Sequence, residues 1–149
     1  MKRNKGFTFA VARLKEELED LFFRIQAAWK NRNLKGIEGK IAGEMGEFFT
    51  NEFESMKERG IINYLENIAA RKVEPTEVWQ ETDKDYVTVL FTASLLDYTV
   101  DEKTGTVISG DKISPVKFLE FWTFCRDIGT RQWKLSAINQ LAEPAERNI

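Results

Sequence analysis

Apolar residues recur at steps of three and four along the first part of the chain. Phe7, Val11, Leu14, Leu18, Leu21, Phe22, Ile25, Ala28 and Trp29 form one stripe. The spacing predicts an amphipathic helix over residues 8–30, with Thr8 as its N-cap and mixed charge on the opposite face. Residues 34–38 read as a single turn. A second stripe, Ile41, Met45, Phe48, Phe49, Phe53 and Met56, predicts a helix over 40–59, and Gly60 supplies its C-terminal stop. Gly36, Gly39, Gly43 and Gly46 fall at helical spacing. They read either as a small-residue groove or as a weak helix start, because each interior glycine costs about 1 kcal/mol relative to alanine.

Beyond Gly60 the period changes to two. Residues 67–80 contain Val73, Val78 and Trp79, with Pro75 marking an edge or bulge. Residues 85–100 form a long β run, and 101–105 a hairpin loop with glycine at its end. Residues 106–109 return, interrupted by Gly110, Asp111, Lys112 and Pro115. Two further strands, 116–126 and 132–141, are joined by a turn at 127–131. Helices followed by at least four strands in meander predict an α+β fold, with N-terminal helices on the concave face of a curved antiparallel sheet of about four strands. One domain would span 1–149, with 1–6 and 142–149 flexible.

The alternation assigns faces. Val87, Val89, Phe91, Ala93 and Leu95 are uniformly apolar and should meet the helices. In the next strand, Glu120 and Arg126 mark one set as outward, which sends Leu119, Phe121, Thr123 and Cys125 inward. In the last strand, Trp133, Leu135, Ala137 and Asn139 should face in. Leu90, Trp122, Phe124 and Ile138 then form an outer apolar patch, the expected interface for a protein partner or a homodimer.

Composition narrows the chemistry. The 149 residues include no histidine and one cysteine, Cys125. Histidine triads, histidine proton shuttles, nearly all catalytic zinc sites and intrachain disulfides are thereby excluded. The net charge of -2 lacks the basic excess of a nucleic-acid binder, so no nucleic acid is expected. No run of 18 apolar residues and no signal peptide is present, which suggests a cytoplasmic protein. Lys2, Arg3 and Lys5 precede the amphipathic helix and could contact an anionic membrane weakly, placing the chain peripherally at its inner face. Asp97, Asp101, Glu102 and Asp111 surround the hairpin but lack the spacing of a calcium loop, so they read as turn chemistry.

Several strings carry a family resemblance. They are Arg32-Asn33-Leu34 after a late helical tryptophan, Leu65-Glu66-Asn67-Ile68, and Asp97 through Gly105 followed by Ser109-Gly110-Asp111-Lys112. Phe121-Trp122-Thr123-Phe124-Cys125-Arg126 and Trp133 through Gln140 complete the set. Together they resemble the Tim44-like domain, a nuclear-transport-factor-two-like fold, from about Leu14 to Gln140. The resemblance implies a binding module without catalysis or cofactor, associated with protein transport, membrane surfaces and protein partners. It implies an apolar pocket for a lipid-like ligand or a protein segment. On the family geometry that pocket would draw on Phe22, Ile25, Trp29, Phe48, Phe49, Phe91, Leu95, Phe121, Trp133 and Leu135. The alternative is a small isomerase- or dehydratase-like enzyme of the same fold, with Asp97 as a buried base.

Overall fold

A computed structural model describes the backbone of residues 5–140 and the side chains of residues 12–139. Two helices, α1 (Lys5–Asn31) and α2 (Gly43–Arg59), precede four strands: β1 (Ile61–Glu81), β2 (Lys84–Asp101), β3 (Val107–Asp127) and β4 (Lys134–Gln140). The strands form one antiparallel sheet in the order β1-β2-β3-β4.

The α1 stripe is buried as its spacing requires: Leu18, Leu21, Phe22, Ile25, Ala28 and Trp29 all enter the core. The opposite face carries the i,i+4 ion pairs Arg13–Glu17 and Asp20–Arg24. The helix stops where Arg32 turns left-handed, at φ 52°. Helix α2 begins at Gly43, not at residue 40. Gly36 and Gly39 lie in turns at φ 96° and 76°, where an L side chain would be strained. Between Gly39 and α2 the chain runs beside β4: Leu135 N–H donates to the Lys40 carbonyl, and Ala42 N–H to the Leu135 carbonyl, each at 2.8 Å. Residues 40–42 therefore cover part of an edge that would otherwise expose unpaired backbone groups. The four glycines form no continuous helical stripe, because Gly36 and Gly39 lie before α2. A Cβ at Gly43 would meet nothing within 4 Å, and one at Gly46 would meet only the Ile41 side chain.

Gly60 ends α2 in the left-handed conformation, its N–H donating to the Lys57 and Met56 carbonyls. Strand β1 starts immediately afterwards, six residues earlier than its alternation suggests. Strand β3 runs unbroken through Gly110 and Pro115. Shifts of register near Asn67, Pro75, Leu96, Val100 and Ser136 bend the sheet.

The face assignment holds for β2 and fails for β3. Val87, Val89, Phe91, Ala93 and Leu95 are almost fully buried against the helices, and Phe22 stacks on Phe91 with ring centroids 4.4 Å apart. In β3 the inward residues are Phe118, Glu120, Trp122 and Phe124. Trp122 pairs with Val89 and Ile138, whereas Phe121 pairs with outward Leu90. Trp122 and Phe124, expected on the outer face, are thus core residues, and Phe121, expected in the pocket, lies on the far side. Both alternating sets in β3 are aromatic, so the polar members had to break the tie. They misled because Glu120 is buried beside a donor, accepting from Trp122 Nε1 at 3.0 Å. In β4, Leu135 faces inward as expected. The shift at Ser136 brings Ile138 inward too, where it packs against the core.

Candidate functional site

A cleft of about 400 Å³ opens where α1, α2 and the β3–β4 side of the sheet meet. Helix α1 contributes Ile25, Gln26 and Trp29, one turn of its inward stripe. Helix α2 contributes Met45, Phe48, Phe49 and Glu52, again at steps of three and four. Strands β3 and β4 supply Glu120, Trp122 and Ile138 from the inward face. The size falls within the range of small-molecule pockets, and an apolar wall with few polar groups is their usual chemistry.

Two tryptophans are fixed by hydrogen bonds. Trp29 Nε1 donates to Asn63 Oδ1 at 2.8 Å, and Trp122 Nε1 donates to Glu120. Asn63 is itself buried and passes the network on. Its Nδ2 lies 2.9 Å from Asp97 Oδ1 and 3.1 Å from Thr99 Oγ1. Trp29 also stands edge-on to Phe49 and Phe53. Phe48 is about half exposed, so the rim of the cleft is itself apolar.

Of the residues expected in a pocket, Ile25, Trp29, Phe48 and Phe49 line this cleft. Phe22, Phe91, Leu95 and Leu135 are packed in the core instead. Trp133 is also in the core and borders a second, more polar hollow of about 280 Å³ between α1 and the loop before β4. Of the four residues expected at an outer interface, Trp122 and Ile138 line the cleft, Phe124 is core, and only Leu90 lies on the outer face, half-buried. Gln26, Met45, Glu52 and Glu120 were not anticipated as cleft residues. Met45 stood on the α2 stripe, and Glu52 lies one turn beyond Phe48 and Phe49, so helical spacing could have found both.

Asp97 is buried, as a catalytic base would be, but it does not line the cleft. Its Oδ1 is engaged by Asn63 at the β1–β2 junction. Cys125 is a buried free thiol. The hairpin carboxylates organise turns. Asp101 Oδ1 accepts from the backbone of Lys103 and Thr104, and Asp111 Oδ1 from that of Ile113 and Ser114. These bonds hold both carboxyls below the usual carboxylate range. Among the described residues no cluster of acids or cysteine could hold a metal ion. No helix among them is long and apolar enough to cross a membrane. Lys2 and Arg3, and the side chain of Lys5, lie outside the described residues.

The family model of the Tim44-like domain matches residues 3–140. Among solved structures, the intermembrane-space region of the chloroplast protein ARC6 superposes with a TM-score of 0.55. The alignment covers 85% of this chain and 95% of that one, at 12% identity, which is a likeness of fold. No curated protein matches in sequence.

Proposed function

The chain belongs to the Tim44-like domain family, and from that premise we propose that it is a binding module working through the cleft between α1, α2 and the sheet. The family is generally one of non-enzymatic binding and tethering domains, and it is associated with membranes and protein transport. This chain acts peripherally at a membrane surface, as one domain over 1–149, with an apolar ligand or an apolar segment of a protein partner in the cleft. The observation that carries the reading is the cleft itself, about 400 Å³ walled by Ile25, Trp29, Phe48, Phe49 and Trp122. Its apolar wall opens to solvent, where an apolar ligand or segment can be buried.

Native mass spectrometry of gently purified protein, with titration of 1-decanol followed by tryptophan fluorescence, tests it. The expected result is a retained small apolar mass or saturable decanol binding. Met45→Trp, which fills the cleft, should weaken decanol binding by about tenfold or more. A wild-type chain that retains nothing and ignores decanol would overturn the reading.

A further inference from the structure

Among the described residues two carboxamides are buried, and the fold treats them differently. Asn63 is fully engaged: its Oδ1 accepts from Trp29 Nε1, and its Nδ2 meets Asp97, the Tyr98 carbonyl and Thr99. Gln26 lies on the inward stripe of α1, four residues after Phe22 and three before Trp29. It is 5% exposed, yet its side chain makes no hydrogen bond with any described residue. Buried polar groups in folded proteins are nearly always paired, because an unmade hydrogen bond there is costly. The Gln26 amide is not sealed into the core, and the space that Gln26 borders is the cleft. The rest of the lining offers an occupant little polar chemistry. Both tryptophan N–H groups are engaged within the protein, and buried Glu120 already accepts from one of them. Glu52 is half-buried on α2 beside half-exposed Phe48, and among the described residues no lysine or arginine lines the cleft.

A carboxamide side chain presents an acceptor oxygen beside an N–H donor. The group that answers both is another carboxamide, and it matches Gln26 in either orientation. A carboxylate head only accepts, and here it would be buried without a counter-charge. An ammonium only donates, and leaves the Gln26 N–H groups without an acceptor. A hydroxyl is a single atom and cannot pair with both along one edge. A protein segment carries a peptide group at every residue, each needing a partner once buried, whereas the cleft supplies one free amide. We propose that the cleft takes a small molecule with an apolar body and a single neutral carboxamide head, paired edge to edge with Gln26. This assignment rests on the cleft being a binding site and names the class of molecule that the site selects.

The experiment compares decanamide, N,N-dimethyldecanamide, 1-decanol and decanoate, each below its solubility limit. Binding to the full chain is read by calorimetry and tryptophan fluorescence. Decanamide should bind about fivefold or more tightly than decanol, and decanoate should bind weakest. The dimethyl amide has lost its donor and should fall to the level of decanol. Gln26→Met should bring decanamide and decanol to equal affinity, with a thermal melt confirming the fold. The dimethyl amide needs no substitution, so it carries the test should that variant not fold. Met45→Trp, which fills the cleft, should abolish decanamide binding. Equal affinity of the wild type for decanamide and decanol would mean that water serves Gln26; it would overturn the amide assignment and leave the cleft standing. A decanamide preference that survives Gln26→Met or Met45→Trp would overturn it too. So would tighter binding of acetyl-leucyl-leucinamide than of decanamide, in favour of a protein segment. Binding of none of these probes would remove the cleft reading as well.

Discussion

At Gly110 the two strands of the β2–β3 hairpin approach so closely that a Cβ would stand 2.2 Å from the Asp97 carbonyl oxygen, and φ is +80°. Gly105 is equally left-handed at +74°, but nothing lies within 4 Å of it. Gly110→Ala should therefore cost about 3 kcal/mol, from clash and backbone strain together. Gly105→Ala should cost about 1 kcal/mol from strain alone. Urea unfolding of the two variants checks the difference. Tyr98 offers a second test at this scale. Burial, then its hydrogen bond to Glu66, push the phenol pKa up to about 12. In the unfolded chain the phenol titrates near 10, so the fold favours its protonated form. The resulting stabilisation is complete below pH 10 and is lost as pH rises through about 12. Stability of the wild type should fall across that window, and Tyr98→Phe should flatten the fall. Gly60, Gly105 and the turn aspartates Asp101 and Asp111 were legible in the sequence, because their signals are local. Asn63 was not, since nothing in its neighbours indicates that it bridges Trp29 and Asp97, each 34 residues away in sequence.

At the scale of elements, the consequential question is which way β3 faces. Trp122 is 1% exposed against Phe22 and Phe91, whereas Leu90 is half-buried on the opposite face. Trp122→Ala should destabilise by about 3–5 kcal/mol, and Leu90→Ala by about 1 kcal/mol. Introducing glutamate at each position sharpens the contrast: circular dichroism should show Trp122→Glu unfolded and Leu90→Glu folded. The reverse result would restore the register in which Trp122 points outward. Both helices were readable because a 3.6-residue stripe identifies its own inward face without reference to a partner. A strand whose two faces are both aromatic provides no such internal reference. Phe121 and Trp122 exchanged roles for that reason, and Ile138 followed when the extra residue at Ser136 shifted β4 by one.

For the whole molecule, stability should be uneven. Most of residues 87–95 of β2 are buried, Val87, Val89, Phe91, Ala93 and Leu95 against the helices, whereas residues 107–115 of β3 are exposed throughout, including Ile108 and Ile113. Amide exchange should be slowest in the first segment and fastest in the second, since protection follows burial and local contact. Membrane contact can be tested on the full chain by flotation with liposomes containing anionic lipid. Replacing Lys2, Arg3 and Lys5 by glutamine should reduce co-flotation, and raised salt should weaken that of the wild type. Binding unaffected by either change would place the membrane contact elsewhere on the molecule.

The sequence by itself determined both helices, the stop at Gly60, the hairpin at 101–105, the meander order and the inward face of β2. Each depends on periodicity or turn chemistry within a few residues, and the family strings are likewise local. Only the tertiary structure decided which aromatics of β3 are core, how residues 40–42 cover the β4 edge, and where the cleft lies. Buried Glu120 accepts from Trp122 on the same face, and the recess lies where two helices and two strands meet without closing. Those are relations between distant parts of the chain, set by register shifts and packing that no local pattern encodes.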